Sequence, residues 1–127
     1  MGVCNNCSDI QDIMNSAALV SKKSALDGLY ALKDTYPLLK NAYQSGRLVL
    51  YMSDCDFDNL MEEVGWERYY TYLTYLKCPK CNKYFYLGIC VRGRPVFKIM
   101  DNPPDKDIFC KSAEREGKRI YMSDEAT

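Results

Sequence analysis

Along the first third of the chain, apolar residues recur at the spacing of amphipathic helices. After Ser8 they return every three or four positions, which predicts a helix capped by Ser8 with Gln11 reaching back to the same end. A second helix is predicted from Ser24, with Pro37 breaking or kinking it. A further turn-rich piece ends at Gly46, a typical residue for the C-terminal end of a helix. This part of the chain is therefore predicted to form a small helical layer.

The rest of the chain has the pattern of β-strands. Residues 47–52 form a short apolar run, which predicts a strand buried on both faces. Side-chain character alternates along 69–76 and 84–91, and 96–100 follows a tight turn, so these three segments predict an antiparallel meander. A helix over 104–117 and a short final strand complete the pattern.

The composition fits one globular domain. At 127 residues, with 47% hydrophobic and 27% charged residues, the chain is expected to fold as a unit. We predict a single α+β domain over residues 1–127, in which an N-terminal helical layer packs on an antiparallel β-meander. The net charge is zero, so no whole-molecule field attracts nucleic acid or a membrane. The N-terminal residues have neither the basic start nor the apolar core of a signal peptide, and we expect a cytosolic protein.

The strongest motif is a Cys-Pro-Lys-Cys turn between two predicted strands. This turn directs the thiolates of Cys78 and Cys81 to one point, and Cys4 and Cys7 repeat the Cys-x-x-Cys spacing near the N-terminus. Two such pairs are a typical ligand set of a structural zinc site. The chain has no histidine, so any zinc must be held by cysteine, with Asp or Glu as the other candidate ligands. We predict a structural zinc ion held by these four cysteines.

Other interpretations of the cysteines stay open. The turn could be metal-free, with its thiols simply reduced. Cys55 and Cys110 are further candidate ligands, whereas Cys90 would lie ~30 Å from Cys81 along a straight strand. A thiol redox role is disfavoured, because a redox Cys-x-x-Cys precedes a helix and this one precedes a predicted strand. With no histidine and no glycine-rich phosphate loop, the sequence predicts no enzyme activity.

An acidic stretch follows the first predicted strand. It matches half of a calcium-binding loop, but Asn59 stands where glycine is required and Gly65 where the bidentate glutamate is required, which excludes an EF-hand. Two interpretations remain: a solvated loop that caps a short helix, or a negative patch that meets a basic partner. Trp66, the only tryptophan, is expected to anchor the core. The candidate partner-binding residues are Asp54, Asp56, Asp58, Glu62, Glu63 and Trp66.

From Arg68 to Met100 the chain is basic and rich in tyrosine. In one interpretation the cations contact phosphates while exposed tyrosines stack on bases, which makes a zinc-knuckle nucleic-acid-binding protein the alternative function. In the other, the tyrosines pack on the helical layer and the lysines keep the sheet edges soluble. The cations of the nucleic-acid interpretation are Lys80, Lys83, Arg92 and Arg94.

The stretch from Tyr72 to Leu87, with a strand, a Cys-Pro-x-Cys turn and a second aromatic strand, resembles small bacterial immunity proteins of polymorphic-toxin and contact-dependent inhibition systems. The family pattern usually has glycine after the second cysteine, where this chain has Asn82. The resemblance implies a compact, non-enzymatic α+β protein that binds one cognate toxin domain and neutralises it. On that expectation the acidic residues make the electrostatic contact with the toxin, and Trp66 or nearby tyrosines supply the buried anchor.

Overall fold

A computed structural model describes residues 4–91 and 93–122. These residues form four α-helices, one short 3-10 turn and a five-stranded antiparallel sheet, which confirms the predicted α+β class. In chain order the elements are α1 (Ser8–Ser21), α2 (Ala25–Gln44), β1 (Val49–Ser53), the 3-10 turn (Phe57–Asn59), α3 (Leu60–Trp66), β2 (Thr71–Lys77), β3 (Tyr84–Cys90), β4 (Val96–Met100), α4 (Lys106–Arg115) and β5 (Tyr121–Met122).

The sheet has the strand order β4-β3-β2-β1-β5, and every neighbouring pair is antiparallel. The predicted meander is therefore present, with β1 added beside it. Strands β2 and β3 pair without interruption from Thr71 opposite Cys90 to Lys77 opposite Tyr84. The turn that joins these strands carries Cys78 and Cys81.

Strand β1 packs against buried clusters on both faces of the sheet and contains a bulge. Its register with β2 shifts between Leu50 and Met52, so that Tyr51 is the extra residue. Tyr51 and Met52 consequently pack in the same cluster, whereas Leu50 packs against the opposite one. This arrangement agrees with the sequence prediction for the strand and adds a kink that an alternating pattern does not reveal.

Two clusters of buried residues lie on opposite faces of the sheet. On one face, Tyr72, Leu76 and Phe85 belong to the same cluster as the buried residues of α1 and α2, as expected for the helical layer. On the other face, a smaller cluster contains Phe109 of α4. The smaller cluster consists of Tyr51, Met52, Tyr84 and Phe109. Strand β2 alternates between the two faces, as its period-two pattern predicts.

Helix α2 runs through Pro37, and the expected break is wrong. Proline removes one backbone hydrogen bond, but its ring lies on the exposed side of the helix. On the inner side, Tyr36 and Leu39 are buried on either side of the proline, and the Tyr36 hydroxyl donates to the Phe57 carbonyl. Packing along the inner face therefore keeps the helix continuous where local propensity opposes it.

The helix ends differ in part from the predictions. Ser24 caps α2 as expected, because its hydroxyl accepts from the Asp27 N–H at 3.0 Å. The predicted capping box at Ser8 is absent: the cap of α1 is Cys7, with no side-chain hydrogen bond to the helix N–H groups. Helix α3 continues through Gly65 and ends at Glu67, which takes a left-handed φ of 49°.

Trp66 does not anchor the core, contrary to the sequence-based expectation. Its side chain is 64% exposed at the end of α3, and the Arg68 guanidinium lies 5.6 Å from its ring centroid. The indole is therefore stacked with a cation at the surface rather than packed inside.

Within residues 4–91 and 93–122, none of the helices combines the length and the apolar character needed to cross a bilayer.

Candidate metal centre

Four cysteine sulfurs lie together where the N-terminal loop meets the β2–β3 turn. The Sγ atoms of Cys4, Cys7, Cys78 and Cys81 are all within 4.8 Å of one another. The Cys4–Cys78 pair is 3.8 Å apart and the Cys7–Cys81 pair 3.5 Å. A tetrahedron of sulfurs around a zinc ion at ~2.3 Å has edges of ~3.8 Å. The sulfurs therefore already have the spacing of a tetrahedral thiolate site.

Each pair is presented by a tight backbone turn. In the N-terminal turn, the Cys7 and Ser8 N–H groups both donate to the Cys4 carbonyl, at 3.2 and 2.8 Å. In the second turn, the Asn82 N–H donates to the Cys78 carbonyl at 2.9 Å. Asn82 has a φ of 62°, a left-handed conformation that asparagine tolerates better than most residues. Asparagine can therefore occupy this position of the turn without the strain that a branched side chain would meet there.

Two side-chain amides point at the buried sulfurs. Cys7 and Cys78 are fully buried, whereas Cys4 and Cys81 are half-buried. Asn6 Nδ2 donates to Cys78 Sγ at 3.2 Å, and Gln11 Nε2 donates to Cys7 Sγ at 3.3 Å. Donors aimed at sulfur stabilise the thiolate form, which is the form that binds metal.

The pKa values follow from burial and these donors. Burial opposes ionisation of Cys78, but hydrogen bonds from Asn6 and from the backbone N–H groups of Cys81 and Lys80 outweigh it and lower the Cys78 pKa to about 6. Burial raises the pKa of Cys7 and of Cys81. The centre thus favours a thiolate at Cys78, whereas Cys7 and Cys81 need a cation beside them before they readily give up their protons.

The Asn6 amide offers a direct test of the thiolate environment. We expect Asn6→Asp to weaken zinc binding about 10- to 100-fold, because a carboxylate would replace the donor next to Cys78. Competition with a chromophoric chelator measures the affinity. Asn5→Asp adds the same charge at an exposed position one residue earlier and serves as the control. Equal affinities for the two variants would contradict the assigned role of Asn6.

The other candidate ligands stay apart from this centre. Cys55 is buried beside Ser53 and Thr74, with its sulfur 3.3 Å from the Ser53 hydroxyl oxygen, and burial raises its pKa to about 12. Cys110 belongs to α4, and Cys90 ends β3. Among the described residues, the one group of three or more potential ligands consists of the four cysteines named above.

Asp54 does not belong to an acidic surface, contrary to the prediction. It is 5% exposed and forms a 3.0 Å ion pair with Lys118, whose side chain is fully buried. The other Asp54 oxygen accepts from the Leu73 N–H at 2.8 Å, and Lys118 Nζ also donates to the Thr71 carbonyl at 2.7 Å. The ion pair links the segment after α4 to the end of β1, and the two hydrogen bonds link both residues to β2.

Much of the remaining acidic stretch is engaged in local capping. Asp56 accepts from the Asp58 N–H and from the Asn59 amide, and Glu63 accepts from the Asp56 N–H. Glu62 is exposed, and Asp58 accepts from Gln44 at the surface. Capping of a short helix therefore accounts for Asp56 and Glu63, while Asp58 is half-buried and Glu62 and Trp66 are exposed.

The residues of the nucleic-acid interpretation are dispersed. Lys83 pairs with Asp101, and Arg94 donates to the Lys22 carbonyl. Lys80 is exposed in the cysteine turn, and Arg92 lies outside the described residues. Several tyrosines of the meander pack within the fold: Tyr72 and Tyr84 are buried, and Tyr75 contacts Phe109 and Tyr86.

Three residues of the cysteine centre and of the buried Asp54–Lys118 pair were not predicted from sequence. Gln11 follows Cys7 by four positions on α1, a spacing that places the two side chains on one helix face. Asn6 lies between the first two cysteines, where its polarity alone gives no signal. Lys118 has the appearance of an ordinary solvated lysine in the sequence, because its partner is 64 positions away.

Comparison with known proteins adds no relative to this picture: no family model, curated protein or solved structure matches the chain.

Proposed function

We propose that the protein binds one zinc ion through Cys4, Cys7, Cys78 and Cys81 and that the zinc is structural. The proposal depends on one observation, the four sulfurs that lie within 4.8 Å of one another. Four thiolates fill a tetrahedral coordination shell and leave no position for a catalytic water. The ion would instead join the N-terminal loop to the β2–β3 turn, between cysteines that are 74 positions apart in the chain.

Native mass spectrometry of the purified protein tests the identity of the metal. We expect one equivalent of zinc per chain and a colourless protein, since Zn²⁺ has a filled d shell. Iron bound by the same four thiolates would colour the protein and would overturn the assignment to zinc. Metal content below one tenth of an equivalent after purification with added zinc would overturn the metal centre itself.

For the biological role, we propose that this zinc-supported domain is a cytosolic immunity protein that binds and neutralises a cognate toxin domain. Two features support a protein partner. Trp66 is 64% exposed with Arg68 beside it, and tryptophan and arginine are enriched among the residues that dominate binding energy at protein interfaces. Asp58 and Glu62 lie at the surface in the same segment and would favour a basic partner.

Growth rescue tests the role in neutralisation. If a toxin domain is encoded beside the gene, co-expression of the two proteins should restore growth, and Trp66→Ala combined with Glu62→Lys should abolish the rescue. We expect a loss of ~2 kcal/mol or more in toxin binding, about thirtyfold in Kd, measured by calorimetry. Ile108→Ala removes an equally exposed apolar side chain, 67% exposed on α4, and should leave binding unchanged.

Two outcomes would contradict this role. Full rescue by the Trp66→Ala, Glu62→Lys variant would remove these residues from the contact. Alternatively, salt-dependent retention of RNA or DNA in a filter-binding assay, lost on substitution of Lys80, would favour the nucleic-acid function instead.

A further inference from the structure

The outward face of α2 is unusually apolar. Leu26, Tyr30 and Lys33 follow one another at the four- and three-residue steps that keep side chains on one stripe of a helix. Leu26 is 59% exposed and Tyr30 56%, and Leu29 and Leu38 flank the stripe with exposed side chains. Because the core side of α2 is fully occupied by other residues, these four side chains are not required for the monomer core.

A groove runs beside this stripe, between α1 and α2. It encloses about 430 Å³. Its apolar walls include Ile13, Val20, Tyr30 and Leu38, and alanines on both helices keep it open. An apolar stripe next to a groove of this size is a shape that can pair with itself across a two-fold axis.

Charge on this face is also complementary. Asp12 and Asp34 both line the groove, from α1 and α2 respectively, and no ion pair engages either carboxylate within the described part of the chain. Lys33, on the neighbouring stripe, likewise has no ion pair there. The net charge of the whole chain is zero, so two copies do not repel each other at long range.

We propose that a second copy of this chain occupies this face, so that the protein is a two-fold symmetric dimer. The stripe of α2 from each copy lies against the α1–α2 groove of the other. Lys33 of each copy then faces Asp34 of the other, and the two-fold axis makes this contact twice. The apolar residues Leu26 and Tyr30 supply the buried area between the copies. This dimer is independent of the toxin-binding role, and its test needs only the purified zinc-loaded protein.

Sedimentation equilibrium of the zinc-loaded protein tests the dimer. The wild type should be dimeric at micromolar concentration, and Tyr30→Glu should be monomeric there. Lys33→Asp and Asp34→Lys should each weaken the dimer about tenfold, because each change replaces attraction by repulsion in both halves. The double variant Lys33→Asp, Asp34→Lys exchanges the two charges and restores their attraction. It should give a dimer at least about threefold tighter than either single variant. Ile108→Glu places a charge on α4 and should leave the dimer unchanged.

Circular dichroism separates loss of the dimer from loss of the fold, since all substituted side chains are exposed. A wild type that is still monomeric at about 100 micromolar would overturn the proposal, because a specific interface should hold the dimer together at that concentration. The proposal would also be overturned if the double variant lost as much dimer affinity as the two single variants together. Equal disruption by Ile108→Glu would place the interface elsewhere.

Discussion

If zinc joins the four cysteines as proposed, replacing Cys78 with serine should remove the metal and lower Tm by roughly 10 °C or more. The expected loss is at least about 3 kcal/mol, because zinc bound by the folded chain and not by the unfolded chain contributes its binding free energy to folding. Cys78 is fully buried and its sulfur accepts from the Asn6 amide, so a serine hydroxyl there replaces a thiol whose pKa is lowered by that amide and by backbone N–H groups. Zinc content by mass spectrometry and Tm by calorimetry are the two measurements.

Cys110→Ser is the matched control for this variant. Cys110 is a half-buried thiol on α4, outside the metal centre, and its replacement should keep one equivalent of zinc and an almost unchanged Tm. A chelator should lower the Tm of the wild type toward that of Cys78→Ser and leave the variant unaffected. If the chelator has no effect on the wild type, the four thiols stabilise the fold without metal.

Lys118→Met should destabilise the fold by about 3–5 kcal/mol at neutral pH. The substitution leaves the Asp54 carboxylate buried without its cation, and an uncompensated buried charge is among the most costly defects in a fold. Urea unfolding measures the loss. Arg119→Met, at the exposed neighbouring position, should change stability by less than about 0.5 kcal/mol.

The loss in Lys118→Met should depend on pH in a defined direction. Burial raises the pKa of Asp54 in the wild type, although the Leu73 N–H and Lys118 oppose the shift. Without Lys118 the pKa rises further, so the variant binds a proton over a pH range in which the unfolded chain does not. Its stability deficit should therefore be smaller near pH 4 than at pH 7. A deficit that does not change with pH would show that packing, not charge, is what Lys118 contributes.

The double variant Asp54→Leu, Lys118→Met removes both charges, and so tests whether the loss in Lys118→Met comes from the unpaired carboxylate. Replacement of both charges by apolar groups of similar size is often close to neutral. We expect it to recover most of the loss caused by Lys118→Met, apart from about 1 kcal/mol for the Leu73 N–H that Asp54 would no longer accept from. A double variant less stable than Lys118→Met would contradict the charge argument.

The features that local pattern determines were predictable from the sequence. Strand β4 (Val96–Met100) and the cap at Ser24 match their predictions, because alternation and turn chemistry act over a few residues. The two Cys-x-x-Cys pairs also come together as expected. The spacing within each pair is a local pattern, whereas the meeting of Cys4 and Cys7 with Cys78 and Cys81 across 74 positions is a property of the fold that spacing alone leaves open.

The misassigned residues depend on contacts that are distant in sequence. In the sequence Asp54 is one of a run of acidic residues, and only the fold brings Lys118 beside it. Trp66 would be placed in the core by hydrophobicity, but it is the last residue of α3 and its side chain is 64% exposed. Pro37 would break an isolated helix, whereas α2 has a continuous inner face that keeps it intact.

The metal centre also bears on how the protein is made. Cys4 and Cys7 leave the ribosome long before Cys78 and Cys81 are synthesised. The four thiols can therefore come together only after the β2–β3 turn has been made. Joining them closes a loop of more than half the chain, a slow step for which no local contact substitutes. On the proposed zinc site, the metal can therefore join the two turns only after Cys81 has been synthesised.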